Sequence, residues 1–298
     1  MKRGAGLALL VLPAAALAHS GPHPGEALGW TLDPWVTAPL ALGLAVYAVG
    51  FIRLRARSSG GKTLLQRDGL RFLLGWLVLA GALVTPLHEA GERSFTMHMI
   101  EHELIMLVAT LLIALSRPLA TMLWAFPVGA RQQLASASRS AIVTQPWRLL
   151  GNPFAATALQ AIALWAWHMP ALFDRALDHR SWHVAQHLCF VATSLLFWWA
   201  MAQPRLGKQG YGVSALCLFA TSLIGGALGA LMALSSSPWY AGYAAMGMTP
   251  IGLDPVEDQQ LAGLIMWLPG GMVHLAAALL CLHRWLETAG GGHVVAAR

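Results

Sequence analysis

Seven stretches of mostly apolar residues, each about as long as a bilayer core is thick, dominate this chain. A helix needs roughly 20 such residues to cross the hydrocarbon region. The predicted spans cover residues 35–52, 70–87, 99–115, 153–170, 182–202, 211–234 and 260–282. Only 11% of the 298 residues are charged, too few to cover a soluble globule of this size. The sequence therefore predicts an all-α, polytopic membrane protein, a bundle of about seven transmembrane helices.

The first residues have the layout of a secretory signal peptide. The basic pair Lys2-Arg3 precedes an apolar run that ends in the small-residue site Ala16-Leu17-Ala18. We therefore expect residues 1–18 to be a signal peptide and residues 19–298 to form a single transmembrane helical-bundle domain. Cleavage would leave the mature N-terminus outside the cytoplasm.

The distribution of basic residues favours the same orientation. With the N-terminus outside, the cytoplasmic segments hold fourteen lysines and arginines, and the outer segments hold three, Arg93, Arg175 and Arg180. Because basic residues accumulate on the cytoplasmic side, the C-terminus is predicted to be cytoplasmic. The basic residues thus account for topology, and the chain has no basic stripe interleaved with aromatics. Membrane lipid is the expected surroundings, and nucleic acid is not an expected partner.

Three local patterns add detail to this topology. Asn152-Pro153 is typical of a helix start, with an N-cap followed by proline at the first helical position. The apolar stretch 119–128 is too short to span and is predicted to be an interfacial helix. Gly225, Gly226 and Gly229 in the sixth span indicate a close helix–helix contact.

Two pairs of histidines have the spacing that places both rings on one helix face. His98 and His102 open the third predicted span, and His183 and His187 open the fifth. Residues four apart are neighbours on a helix surface, so each pair can share a metal ion. The two pairs are therefore candidate metal ligands.

Single histidines occur at the same level of the membrane. His88 ends the second predicted span and His168 ends the fourth. Ionisable side chains in lipid are costly and usually face a partner or a cavity. We therefore predict that imidazoles from four helices converge on a metal ion, in preference to serving as separate hydrogen-bonded core residues.

Two further polar residues are weaker candidates. His274 follows Pro269-Gly270-Gly271 near the middle of the seventh span, where it is either an inner ligand or relay, or a histidine bonded to a neighbouring helix. Asp254 and Glu257 resemble a capping box at the start of that span, and the neighbouring Asp258 is placed so that it could face the metal.

The residues leave the identity of the metal open. Imidazole suits copper, zinc, iron and nickel, and methionines near the outer ends of the spans favour cuprous copper. His98-Met-Ile-Glu101-His102 matches the H-x-x-E-H pattern of inverted zinc peptidases, which would make the chain a membrane-embedded zinc hydrolase. Axial histidines from two helices can also clamp haem iron. Copper, zinc and haem therefore remain alternatives at this point.

Long stretches of the sequence resemble the seven-span CtaG-type cytochrome c oxidase assembly proteins of bacteria. The resemblance extends from about residue 70 to 286. The resembling stretches are HMIEHELIMLVATLLIALSRPL from His98, WAWHMPALFDRAL from Trp165, WHVAQHLCFVATSLLFWWA from Trp182, LFATSLIGGALGALM from Leu218 and DPVEDQQLAGLIMWLPGGMVHL from Asp254.

The resemblance implies a non-enzymatic role in maturing haem–copper oxidases. That role would be to bind copper at an outer histidine cluster and to aid its insertion into the copper-B centre. The implied partners are subunit I of cytochrome c oxidase or other oxidase assembly factors, and the implied location is the bacterial inner (plasma) membrane. The metal-binding residues it implies are His98, His102, His168, His183 and His187, with His274 and Asp258 as further candidates.

Overall fold

The predicted all-α fold is confirmed in the part of the chain that the structure describes. This computed structural model describes residues 28–58, 60–202 and 210–295, with side chains as far as residue 288. These ranges contain helices, turns and no strand. The predicted signal peptide, residues 1–18, lies outside the described residues.

Helices follow one another along almost the whole described chain. The α-helices are α1 (Pro34–Arg57), α2 (Lys62–Val84), α3 (Pro86–Arg93), α4 (Phe95–Glu103), α5 (Thr110–Leu115), α6 (Pro118–Met122), α7 (Val128–Ala137), α8 (Ala141–Leu150), α9 (Pro153–Trp167), α10 (Pro170–Asp178), α11 (Arg180–Ala202), α12 (Gly210–Ala233), α13 (Ala241–Met246) and α14 (Pro255–Val295). A π-helical segment, Leu104–Ala109, joins α4 to α5, and a 3₁₀ turn, Leu123–Ala125, follows α6.

Five helical segments are long and apolar enough to cross a membrane unaided. They are Pro34–Arg57, Phe95–Leu115, Arg180–Ala202, Gly210–Ala233 and Pro255–Thr288. Two bent pairs also qualify if each counts as one span: α2 with α3, bent by 48°, and α8 with α9, bent by 71°. The described residues therefore contain five candidate spans, or up to seven, at the positions of the seven predicted ones.

The boundaries of two predicted spans differ from the helices observed. The predicted span 153–170 ends early because α9 stops at Trp167 and Pro170 begins a new helix, α10. The residue before a proline is pushed out of the helical region, which accounts for the break. In contrast, α14 is longer than the predicted span 260–282 and stays helical through Pro269.

The segment predicted to be one interfacial helix is broken and packs against α1. Residues 119–128 fall in α6, in the 3₁₀ turn and at the start of α7. Gly50 of α1 lies directly against the Thr121 carbonyl, where a side chain would overlap it. Arg53 also donates a hydrogen bond to the Ala125 carbonyl oxygen at 2.6 Å. The break itself follows from Pro127, because the residue before a proline is pushed out of the helical region and Phe126 is extended. The contacts with α1 are not encoded in the apolar pattern.

Glycines bring α12 and α14 into backbone contact, as the glycines of the sixth predicted span indicated. A Cβ atom on Gly229 would lie 2.8 Å from the Gly263 carbonyl oxygen and 2.9 Å from the Trp267 nitrogen. A Cβ atom on Gly263 would lie 2.6 Å from the Ala233 nitrogen. The obstructing atoms are backbone, so they cannot move aside as a flexible side chain would.

Replacing Gly263 with valine is therefore expected to destabilise the bundle. The added side chain forces α12 and α14 apart, at a cost of about 1–3 kcal/mol or more. Thermal unfolding of the purified protein in detergent measures the effect. Gly43→Val in α1 is the matched control, since a Cβ there meets nothing within 4 Å. An equal fall in melting temperature for both variants would contradict the close contact.

Candidate metal centre

The helix that carries His98 and His102 is anchored at its start by Asp258. Ser94 caps α4, and its hydroxyl donates to Asp258 Oδ1 at 2.9 Å. The backbone N–H groups of Phe95 and Thr96 donate to the same carboxylate at 2.6 Å and 3.1 Å. A carboxylate that accepts several N–H groups at a helix start is well stabilised there. Asp258, a predicted metal candidate, therefore contacts the start of α4, not the imidazoles.

The predicted capping box is present at the start of α14, and it determines where Asp258 lies. Asp254 Oδ1 accepts from the backbone N–H groups of Val256 at 2.8 Å and Glu257 at 2.9 Å. Glu257 in turn accepts from the Asp254 N–H at 3.0 Å. This reciprocal arrangement starts α14, so Asp258 emerges in its first turn beside α4.

Five histidines from three helices, α3, α4 and α11, lie close together. We call them the imidazole cluster: His88 of α3, His98 and His102 of α4, and His183 and His187 of α11. The shortest separations between ring centroids are 4.2 Å for His98–His102, 4.5 Å for His183–His187, 5.1 Å for His88–His183 and 5.2 Å for His102–His187. The two predicted pairs thus face each other across the bundle interior.

Three members of the cluster are already close to the geometry of an ion site. Ligand atoms of His88, His183 and His187 all lie within 4.8 Å of one another. Imidazole nitrogens bind ions such as zinc at about 2 Å, so two ligands of one ion lie at most about 4 Å apart. Side-chain shifts of less than an ångström would close the difference. The ligand set implied by the resemblance omitted His88. The sequence analysis had placed His88 at the same level of the membrane as the two histidine pairs.

The ring nitrogens of the cluster are short of hydrogen-bond partners. Within the described residues, both nitrogens of His98 and of His102 are buried without a partner, as are Nε2 of His183 and Nε2 of His187. A buried polar group without a partner costs about 1–3 kcal/mol. These unpaired nitrogens are therefore available as ligands.

Glu101 lies in the middle of the cluster and is completely buried. Its Oε1 accepts a hydrogen bond from His88 Nδ1 at 2.8 Å and lies 3.5 Å from His187 Nε2. Donation from Nδ1 leaves the lone pair of His88 on Nε2, which is the arrangement seen when a carboxylate orients a metal-binding histidine. The sequence had considered Glu101 only as the water-activating residue of a zinc hydrolase.

Aromatic rings separate the cluster from His168. The His168 ring lies 6.2 Å from Phe173 and 6.3 Å from Phe190, and these rings also contact His98 at 5.1 Å and His102 at 4.9 Å. His168 Nδ1 bonds to the Leu164 carbonyl oxygen at 2.7 Å, while Nε2 is buried without a partner in the described residues. The structure therefore places His168 next to the cluster, with no imidazole in ring contact.

Tyr243 of α13 contacts both α3 and the imidazole cluster. Its hydroxyl donates to the Gly91 carbonyl oxygen at 2.5 Å, and its ring lies 6.4 Å from His98. Burial raises the pKa of this hydroxyl well above its usual value, so it remains a donor. The neighbouring Tyr240 donates to the His168 carbonyl oxygen at 3.0 Å. These two tyrosines hold α3 and the end of α9 in position.

Comparison with known proteins decides the family. The profile of the cytochrome c oxidase caa3 assembly factor family (Caa3_CtaG) matches residues 45–288. The chain belongs to this family of oxidase assembly factors. The match includes α2 to α12 and most of α14, and so contains every histidine of the cluster.

The relatives of this assembly factor include two uncharacterized mycobacterial proteins. One is from Mycobacterium bovis and the other from Mycobacterium tuberculosis; each is 28% identical over an alignment of 255 residues, which covers 80% of this chain. The chain spans 36% of the length of these relatives. No solved structure matches the chain.

His274 of this assembly factor lies apart from the imidazole cluster. Its ring stacks on Trp198 with centroids 5.4 Å apart, and Nδ1 bonds to the Gly270 carbonyl oxygen at 2.8 Å. His274 and Glu103 line the same cavity. The sequence analysis did not single out Glu103. The predicted set thus divides into four clustered histidines, the adjacent His168, and two residues with other surroundings, His274 and Asp258.

Proposed function

We propose that this assembly factor binds copper at the imidazole cluster and aids its insertion into the copper-B centre of a cytochrome c oxidase in the bacterial inner membrane. The convergence of five imidazoles and one carboxylate inside an apolar bundle carries the proposal. Buried histidines that serve only for packing would be expected to have hydrogen-bond partners. Here their free nitrogens face one another.

Charge balance favours the cuprous ion. Glu101 is the carboxylate at the centre of the cluster, and a monovalent ion beside it gives a neutral site. A divalent ion would leave one positive charge in a low-dielectric interior, where an uncompensated charge is costly. Imidazole is a suitable ligand for copper. The family serves cytochrome c oxidase, whose copper-B centre takes the same metal.

The number of ligands suits a site that must release its ion. Three nitrogens in the His88–His183–His187 group are enough to hold one ion, and the His98–His102 pair lies within ring contact of them. An ion can exchange one imidazole for the next without meeting lipid. His88 is the most exposed of the close group, with 13% of its side chain accessible, so it offers the route in and out.

The packing is less suited to zinc hydrolysis or to haem. A hydrolytic zinc needs an open position for water and substrate, whereas Glu101 is fully buried and already bonded to His88. A porphyrin needs a flat space between its two axial ligands, but the imidazoles of the cluster contact one another directly. Both alternatives would require the bundle to open.

Deleting the gene from its host tests the proposed function. The expected result is an oxidase that retains haem and protein subunits but has lost copper-B and most of its activity. Metal analysis and haem spectra of the purified oxidase measure this. The wild-type gene should restore copper, and so should a gene carrying His283→Ala, which changes an exposed histidine of α14. A fully copper-loaded oxidase from the deletion strain would refute the proposal.

A further inference from the structure

A second group of polar side chains lies inside the bundle, beside a different face of α4. It lines a cavity of about 40 Å³ bounded by α9, α12, α14 and the junction of α4 with the π-helical segment. The residues that matter here are Glu103, Met106, Gln160, Ser222 and His274. Consecutive helix residues project about 100° apart, so His102 faces the imidazole cluster while Glu103 faces this cavity.

Glu103 brings an uncompensated carboxyl group into this cavity. Its Oε2 atom is buried and has no hydrogen-bond partner in the described residues, and no lysine or arginine is among the residues lining the cavity. The carboxyl lies against bare backbone, because a Cβ on Gly270 would be 3.1 Å from Oε2. Glu103 is eight residues beyond Phe95, the first residue of α4, or about 12 Å along the helix. A carboxyl group buried without a partner is costly, and a bound cation would supply the partner that it lacks.

His274 of α14 also lines the cavity and is held in a fixed orientation. Its ring stacks on Trp198 at an interplanar angle of 10°, and Nδ1 lies 2.8 Å from the Gly270 carbonyl oxygen. Since a carbonyl only accepts, Nδ1 carries the hydrogen and Nε2 keeps its lone pair. Trp198 is itself fixed, because its Nε1 donates to the Met106 carbonyl oxygen at 2.8 Å. The imidazole is thus oriented in advance as a ligand.

We infer that Glu103, Met106 and His274 form a second cation site, which takes one cuprous ion and is separate from the imidazole cluster. The three side chains offer a carboxylate oxygen, a thioether sulfur and an imidazole nitrogen, and thioether selects cuprous copper. One negative and one positive charge cancel in the interior. The cavity has room for a water-sized occupant. The choice of metal rests on the proposed function, while the site itself rests on Glu103 and His274.

Copper titration of the purified full-length protein tests the second site. Cuprous ion would be supplied anaerobically from a coloured chelator to wild type and to His183→Ala/His187→Ala, each with and without Glu103→Gln. We expect the double variant to keep one bound copper and the triple variant to lose it. Glu287→Gln, which changes an exposed carboxylate of the same bundle, is the control and should leave that copper in place.

The two sites can fail independently in this design. If the cluster binds no copper, wild type and the double variant bind equally, and Glu103→Gln still removes one ion from both. If Glu103→Gln removes no ion from either protein, the second site is refuted. X-ray absorption of copper in the double variant gives a further measurement. A sulfur neighbour that disappears in Met106→Leu, which keeps the side-chain size, is expected; a copper signal without sulfur would overturn the assignment.

Discussion

Replacing His183 and His187 together with alanine is expected to abolish copper binding at the imidazole cluster. The change removes two of the three ligand atoms that lie within 4.8 Å of one another. Loss of residues that merely orient a ligand typically costs 10–100-fold in metal affinity, so loss of two ligands should exceed about 100-fold. Competition with a chelator of known affinity measures the change, and a strain carrying the variant should produce copper-deficient oxidase.

The fold should survive this double replacement. Nε2 of each histidine lacks a hydrogen-bond partner in the described residues, and Glu101 Oε1, which lies 3.5 Å from His187 Nε2, keeps its bond to His88. The cost of the cavity is then partly offset by the polar groups removed. The matched control is His179→Ala/His283→Ala, which removes two exposed histidines outside the cluster. Unchanged copper affinity in the cluster variant, with normal thermal unfolding, would contradict the proposed function.

The pairs of histidines could be predicted because two simple lengths fix them. The bilayer thickness fixes where each span begins, and the helical repeat fixes which residues share a face. His98, His102, His183 and His187 therefore had to lie at one level on two helix faces. Whether α4 and α11 are neighbours, and how each is rotated, was undetermined; the structure shows that the two faces meet.

Other members of the site depend on contacts between distant parts of the chain. Asp258 binds Ser94, Phe95 and Thr96, more than 160 residues earlier, and those contacts make it an anchor for α4. No local pattern distinguishes an aspartate that holds a helix end from one that faces a metal. His274 was predicted to lie near mid-membrane, but its neighbours Trp198 and Glu103 come from helices whose packing order the sequence does not state.

His88 shows how a bend between two helices can bring a further histidine to the two pairs. α2 ends at Val84, inside the second predicted span, and α3, which begins at Pro86, turns by 48° from α2. Thr85 caps the new helix and proline begins it, so the bend itself is encoded locally. The direction of the bend is not encoded locally. Contacts with α4 turn α3 inward, and His88 then reaches His183 and Glu101.

Replacing Glu101 with glutamine is expected to weaken copper binding by about 10–100-fold without removing a ligand. The amide oxygen of glutamine can still accept from His88 Nδ1, so the orientation of that ring is kept. Only the negative charge that balances the ion is lost from a fully buried position. The number of ions bound at saturating copper should therefore stay the same while the dissociation constant rises.

Glu287→Gln provides the control for this charge effect. Glu287 is a carboxylate of α14 with 63% of its side chain exposed, and it pairs with His283 outside the cluster. Its loss of charge should leave copper affinity unchanged. Equal affinities for wild type and Glu101→Gln would show that the buried carboxylate does not balance the ion. The case for a cuprous ion, which depends on a neutral site, would then fail even if the imidazoles bind metal.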